Sequence, residues 1–284
     1  MNNIKKAEEM LTTIDMSFFF QNADILKSLG DETLAQSKGR GDHSHNSINH
    51  KHRTIRGIAV THNNDLLISD AISRLKLVHG KTGKISDSKD NVEPLAVTSV
   101  HITCDNKVIV GAMIPGKAFP VIERRVVIVM DQEGNHLTVY EQDKHKHNMF
   151  SYPRSITSTN NGNIFVGDRI SGDKRGRVLV LGKDGDILNE NTGCHDIYHK
   201  YKYLRIANIT TTPSDNIVVF DLYHHLHILD SSANPKYYYD IRDIGIKYSY
   251  CLVFTCPTTF YLGCSPPTNS TTNSKVYEVQ CSGF

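Results

Sequence analysis

Tryptophan is absent from the 284 residues, and no apolar run approaches the ~20 residues that a membrane helix needs. A net charge of +2 with the histidines neutral excludes a global attraction to polyanions, so any nucleic-acid binding has to rest on a local patch. Gly-x-Ser-x-Gly, Walker A and dinucleotide fingerprints are all missing, which removes the commonest motif-bearing hydrolase, nucleotide and cofactor classes. The N-terminus has no secretory pattern, because Met1–Glu9 leads into polar sequence, and a cytoplasmic location is expected. Six cysteines in a chain of this length are expected to be reduced thiols rather than a disulfide framework.

What is present is a repeat. Thr61, Thr103, Thr159, Thr212 and Thr255 each end a β-like run, and the surrounding register holds for about a dozen residues without a gap. Three positions before each threonine stand Ile58, Val100, Ile156, Ile209 and Leu252. Five positions after it stand Leu66, Val108, Ile164, Ile217 and Phe260, and seven after it Ile68, Val110, Val166, Val219 and Leu262. Positions two apart share one face of a strand, so the last two sets form a repeated buried stripe. The polar links between the runs, such as Asn160-Asn161-Gly162-Asn163, have hairpin chemistry, since Asn, Asp and Gly tolerate the backbone angles of a tight turn.

A third strand follows, opened by Arg74, Arg125, Arg177, His225 or Lys275, and in three repeats Gly83, Gly134 or Gly185 then turns the chain into a fourth. Four-strand units of about 40 to 55 residues predict the blades of a β-propeller. The fold class is therefore all-β, a β-propeller of four-stranded blades with five repeats visible and an N-terminal α-helix. Residues 1–37 are expected as a helical, coiled-coil tail from the seven-residue spacing of Ile4, Leu11, Phe18 and Ile25, with an amphipathic helix lying on the propeller as the alternative. Residues 38–52 read as a His/Ser/Gly-rich linker, and 53–284 as the propeller. The last repeat ends after its third strand, so its fourth is expected from the stretch before Gly57.

Gly57-Ile58-Ala59-Val60 with Leu67-Ile68-Ser69-Asp70, and Val218-Val219-Phe220-Asp221 followed by His225-Leu226-His227-Ile228-Leu229-Asp230, resemble NHL repeats. The chain as a whole is similar to the C-terminal part of a tripartite-motif protein of the NHL-propeller type. That resemblance implies the substrate- or partner-recognition part of a ubiquitin ligase or adaptor, a non-catalytic scaffold rather than an enzyme. No Cys-x-x-Cys pair occurs, so the chain cannot supply a RING itself. The family norm of six blades also exceeds the five repeats seen.

In an antiparallel blade the second-to-third connections and the links between repeats leave on the same rim, and here both vary in length. This face is expected to bind partners through Lys117, Arg124, Arg125, Lys144, Lys146, Lys174, Arg175, Lys200, Tyr201, Lys202, Tyr203 and Arg205. A protein partner is expected. RNA, held by basic groups interleaved with tyrosines, is the alternative. Self-association through the N-terminal helix is a further expectation. No membrane, cofactor, metal or catalytic residue is expected.

Three other groups carry chemistry. Asp70, Asp168 and Asp221 share the position nine after the threonine, where a carboxylate can accept local backbone N–H bonds. His43, His45, His50 and His52 lie in the linker. His224, His225 and His227 sit in and beside a strand, with His225 and His227 facing the same way; either histidine set could ligate a metal ion, but the expectation is that neither does.

Overall fold

The structure, a computed structural model, describes residues 5–6, 55–183, 185–193, 203–246, 249–256, 259–264 and 275–280. It contains five four-stranded antiparallel sheets. Blade 1 comprises β2 (Gly57–Val60), β3 (Leu66–Ser69), β4 (Arg74–Val78) and β5 (Ile85–Asn91). Blade 2 comprises β6 (Ala96–Ile102), β7 (Val108–Met113), β8 (Arg125–Met130) and β9 (His136–Tyr140). Blade 3 comprises β10 (Pro153–Ser158), β11 (Ile164–Arg169), β12 (Gly176–Leu181) and β13 (Ile187–Asn191), and blade 4 β14 (Ile206–Thr211), β15 (Ile217–Asp221), β16 (His225–Leu229) and β17 (Pro235–Asp240). Blade 5 comprises β18 (Ser249–Cys256), β19 (Thr259–Cys264) and β20 (Lys275–Gln280), completed by β1 (Lys5–Lys6) on the outer edge of β20. First strands of successive blades neighbour one another from β2 to β18, so they line the axis.

The repeated threonines owe their position to the first hairpin of each blade. The hydroxyl oxygens of Thr61, Thr103 and Thr212 accept the N–H of the residue four later at 3.0, 2.9 and 3.1 Å. The residue before that one takes a left-handed conformation, with φ of 60° at Asn64, 63° at Asn106 and 60° at Asp215, and Asn and Asp tolerate this region better than other side chains. The expected glycine turns between third and fourth strands are found at Gly83, Gly134 and Gly185, all with positive φ. Blade 4 places Ala233 there at φ 66°.

The two apolar sets read from the sequence are buried in all five blades and fill the spaces between them. Val108 and Val110 belong to the core between blades 1 and 2, Ile164 and Val166 to the next, Ile217 and Val219 to the third, Phe260 and Leu262 to the fourth. Among the described residues the seam facing blade 5 from blade 1 carries the smallest cluster, Leu66, Ile68 and Val78. Ile58, on that seam, is 45% exposed although its four counterparts are buried. Each of β6, β10, β14 and β18 also carries a bulge at the same place near its start, between Val97/Ser99, Pro153/Ser155, Ile206/Asn208 and Ser249/Cys251. One extra residue in the inner strand increases its local twist and bends it at the rim.

Two expectations change. The ends of the chain are clasped together, but by Lys5–Lys6, whose partners are Gln280 and Val279, and not by the stretch before Gly57. Ile55 and Arg56 lead directly into β2, and the outer edge of β20 is taken by β1. Lys5 and Lys6 are strand where helix was expected; the rest of the expected coiled-coil tail and the histidine linker lie outside the described residues. Helical structure among the described residues is a single 3-10 turn, Ile241–Ile244, capped by the Asp240 carboxylate and ended by Gly245 at φ 75°. None of the helices there is long and apolar enough to cross a membrane.

Candidate functional site

At the end of β15 in blade 4 the chain turns within three residues into β16. Asp221 directs this turn: its Oδ1 accepts the N–H of Tyr223 at 2.8 Å and of His225 at 2.9 Å. Its Oδ2 meets two imidazoles, Nδ1 of His225 at 3.0 Å and Nε2 of His227 at 3.1 Å. His225 and His227 lie two apart on β16 and so share a face, the face that continues through Leu229 into the core between blades 3 and 4. All three side chains are buried. Burial works against the Asp221 charge, but the bonds from His225 and His227 outweigh it and hold the carboxyl below the usual carboxylate range. With the carboxylate ionised, the imidazole nitrogens facing it are donors.

The surroundings extend the cluster. The Tyr238 ring lies 4.9 Å from that of His225 and 5.4 Å from that of His227. On its far side, His225 Nε2 faces Arg242 Nη2 at 3.3 Å and Asp240 Oδ2 at 3.7 Å, while Arg242 Nε donates to Asp240 Oδ1 at 2.8 Å. Burial and the nearby Arg242 push the basicity of the neighbouring His224 down. His227 borders a cavity of about 150 Å³ whose lining includes Asn191, Leu204, Lys236, Tyr237 and Tyr238. A larger cavity of about 290 Å³ between blades 2 and 3, lined by turn residues such as Asn161 and Lys183, contains no comparable buried titratable group. The three ligand-capable atoms of Asp221, His225 and His227 lie within 4.8 Å of one another, so this is the group among the described residues that can hold a metal ion.

Blade 3 shows the same position in a simpler form. Asp168 is fully buried, accepts the N–H of Ser151 at 3.0 Å and of Tyr152 at 2.7 Å, and pairs with Arg177 Nε at 3.1 Å. Local N–H acceptance was expected for this repeat position and describes both carboxylates. The convergence of two imidazoles on Asp221 was not; its signal in the sequence is an Asp followed by His at four and six positions.

The basic rim residues are spread over four connections. Lys117, Lys144, Lys146 and Lys174 are exposed. Arg124 is exposed and makes a paired contact with Glu141 at 2.9 and 2.7 Å. Arg125 is buried instead, its guanidinium donating to the carbonyls of Ser151, Glu123 and Arg124. Arg175 lies 5.0 Å from the ring of Tyr203 and Arg205 5.1 Å from the ring of Tyr223. Lys200, Tyr201 and Lys202 lie outside the described residues.

No family model and no curated protein matches the sequence. Solved structures do match. A gluconolactonase from Xanthomonas campestris is similar with a TM-score of 0.56 at 8% identity, over 81% of this chain and 73% of that one. Regucalcin from Agrobacterium tumefaciens, a calcium-binding protein, gives 0.54 at 14% over 80% and 76%. Virginiamycin B lyase from Staphylococcus aureus gives 0.52 at 15% over 80% and 69%. These likenesses overturn two expectations, that the propeller is a non-catalytic scaffold and that it is not an enzyme: the gluconolactonase and the lyase are enzymes, and none of these three is described as a tripartite-motif or NHL protein. The chain is a five-bladed β-propeller whose fold is shared with these proteins.

Proposed function

We propose that the chain is a catalytic propeller, a hydrolase of the ester or lactone class, with Asp221, His225 and His227 as its reaction centre. The observation that carries this is the gathering of two imidazoles by one buried, ionised carboxylate beside a cavity. The structural carboxylate at this position in blade 3 has, beside its two backbone N–H groups, a single side-chain donor, Arg177. The second imidazole adds a group able to move a proton in a site shielded from bulk water.

In such a reaction, water loses a proton to the centre and its oxygen bonds to the carbonyl carbon. The resulting tetrahedral oxyanion collapses, the C–O bond to the leaving alkoxide breaks, and that alkoxide takes up the proton. Lys236, in the same cavity and held by Asn216 Oδ1 at 3.0 Å, supplies positive charge for the oxyanion. The likeness to a gluconolactonase supports a carbonyl substrate, and the NHL-like wording of the blades is read as vocabulary common to propeller strands.

A panel of chromogenic aryl esters and small lactones tests the proposal. Hydrolysis by the full chain, reduced about 100-fold or more in Asp221→Asn, is expected. No hydrolysis above the buffer rate, or equal rates in the variant, contradicts it.

A further inference from the structure

We propose that Asp221, His225 and His227 form the binding site of one divalent transition-metal ion of the zinc class. The inference deepens the reading of these residues as a reaction centre, and depends on that reading for what the ion does but not for whether it binds.

The geometry is that of a ligand set. One carboxylate oxygen and two imidazole nitrogens converge, with separations from Asp221 Oδ2 of 3.0 and 3.1 Å and all three atoms within 4.8 Å. Zinc bonds of about 2.0–2.2 Å in tetrahedral arrangement put ligand atoms about 3.3 Å apart, so small side-chain shifts would seat an ion between them. The donor set decides the class. Two imidazoles and one carboxylate suit zinc, cobalt or nickel, whereas calcium and magnesium take oxygen ligands almost exclusively. The cluster therefore does not fit calcium, the ion for which regucalcin is described.

The surroundings serve a metal as well. Asp221 Oδ1 is fixed by two backbone N–H groups, which leaves Oδ2 aimed at the imidazoles. An ion at His225 Nδ1 moves the ring proton to Nε2, where Arg242 Nη2 now lies at 3.3 Å; a turn of that guanidinium and an approach of Asp240 Oδ2 from its present 3.7 Å would complete a carboxylate–histidine–metal arrangement. The positive charge of Arg242 is offset by its pairing with Asp240. Three protein ligands leave a fourth position for water, and His227 borders the cavity from which water and substrate would arrive. Blade 3 supplies the internal comparison: two positions beyond Arg177 it has Leu179, fully buried in the core, where blade 4 has His227.

The test uses the full chain, stripped with a chelator, then titrated with Co²⁺ and competed with Zn²⁺. The expected result is one Co²⁺ per chain, visible as ligand-field absorption, displaced by Zn²⁺, with a rise in Tm because the ion binds only the folded state. Asp221→Asn and His227→Gln, each checked for native circular dichroism, are expected to weaken binding at least 10-fold. A variant with His43, His45, His50 and His52 changed to Ala is expected to bind as the parent does.

Absence of both the absorption band and the Tm rise in the parent chain overturns the inference, whether or not the variants fold. Undiminished binding in folded Asp221→Asn and His227→Gln, or loss only in the linker variant, also overturns it. Metal bound here with no hydrolysis sinks the proposed activity and leaves the metal site standing. Hydrolysis by chain that binds no metal does the reverse.

Discussion

Asp221 occupies in blade 4 the position that Asp168 occupies in blade 3, and the two buried carboxylates face different side-chain donors: Asp168 takes Nε of Arg177 at 3.1 Å, Asp221 the two imidazoles. In blade 3 the result is a structural pair. Arg177 also donates to the carbonyl of Met149 at 2.8 Å and reaches Glu190 at 3.1 Å, so it joins the second, third and fourth strands to the incoming link. Asp168→Ala leaves Nε of that guanidinium and two N–H groups without their acceptor. A loss of about 3–5 kcal/mol in urea unfolding is expected; a loss under about 1 kcal/mol would show that the pair is dispensable.

The hairpin threonines give a graded test. Thr212→Val keeps the shape but removes the oxygen that accepts the Asn216 N–H, in a turn whose threonine is buried. It is expected to cost about 1–2 kcal/mol, and Thr61→Val, in a more open turn, less. Equal costs, or a larger cost at Thr61, would mean that desolvation of the orphaned N–H does not set the scale.

These turns also show what was legible in the sequence. Thr61, Thr103 and Thr212 carry a local rule, a hydroxyl accepting an N–H four residues on, and local rules repeat visibly. So do Val110, Val166 and Val219, because every blade buries the same strand face. Closure through Lys5–Lys6 was not legible, since two lysines form no pattern and the pairing spans nearly the whole chain. Arg125 looked like a rim cation because its environment is made by carbonyls from 117 to 151, brought together only by the fold. The histidines of β16 were visible as a pair on one face. Their shared partner depends on how sharply the chain turns after Asp221, and Tyr238 arrives from a later strand.

His101 gives a pH signature. Its Nε2 lies 2.9 Å from Ser158 Oγ, and burial pulls its pKa down to about 4 from 6.5. Between those values the unfolded chain takes up a proton that the native chain refuses, so stability falls as pH falls from 6.5 toward 4, by at most about 1.4 kcal/mol per unit from this group. Urea unfolding across that range is expected to be less steeply pH-dependent in His101→Gln. An unchanged slope would remove His101 as its source.

Removal of residues 1–6 uncovers the outer edge of β20, where Val279 is fully buried in the parent chain. Lower Tm and increased light scattering are expected, since an unpaired strand edge invites association. A truncated chain as stable and as monodisperse as the parent would deny the clasp a role.

The most direct test of the catalytic account is the steady-state hydrolysis of a small lactone, followed by acid release at constant pH, for the parent chain and His227→Gln at matched circular dichroism. The account predicts measurable turnover by the parent and a fall of about 100-fold or more in kcat/KM for the variant. Turnover that survives the substitution unchanged would contradict it.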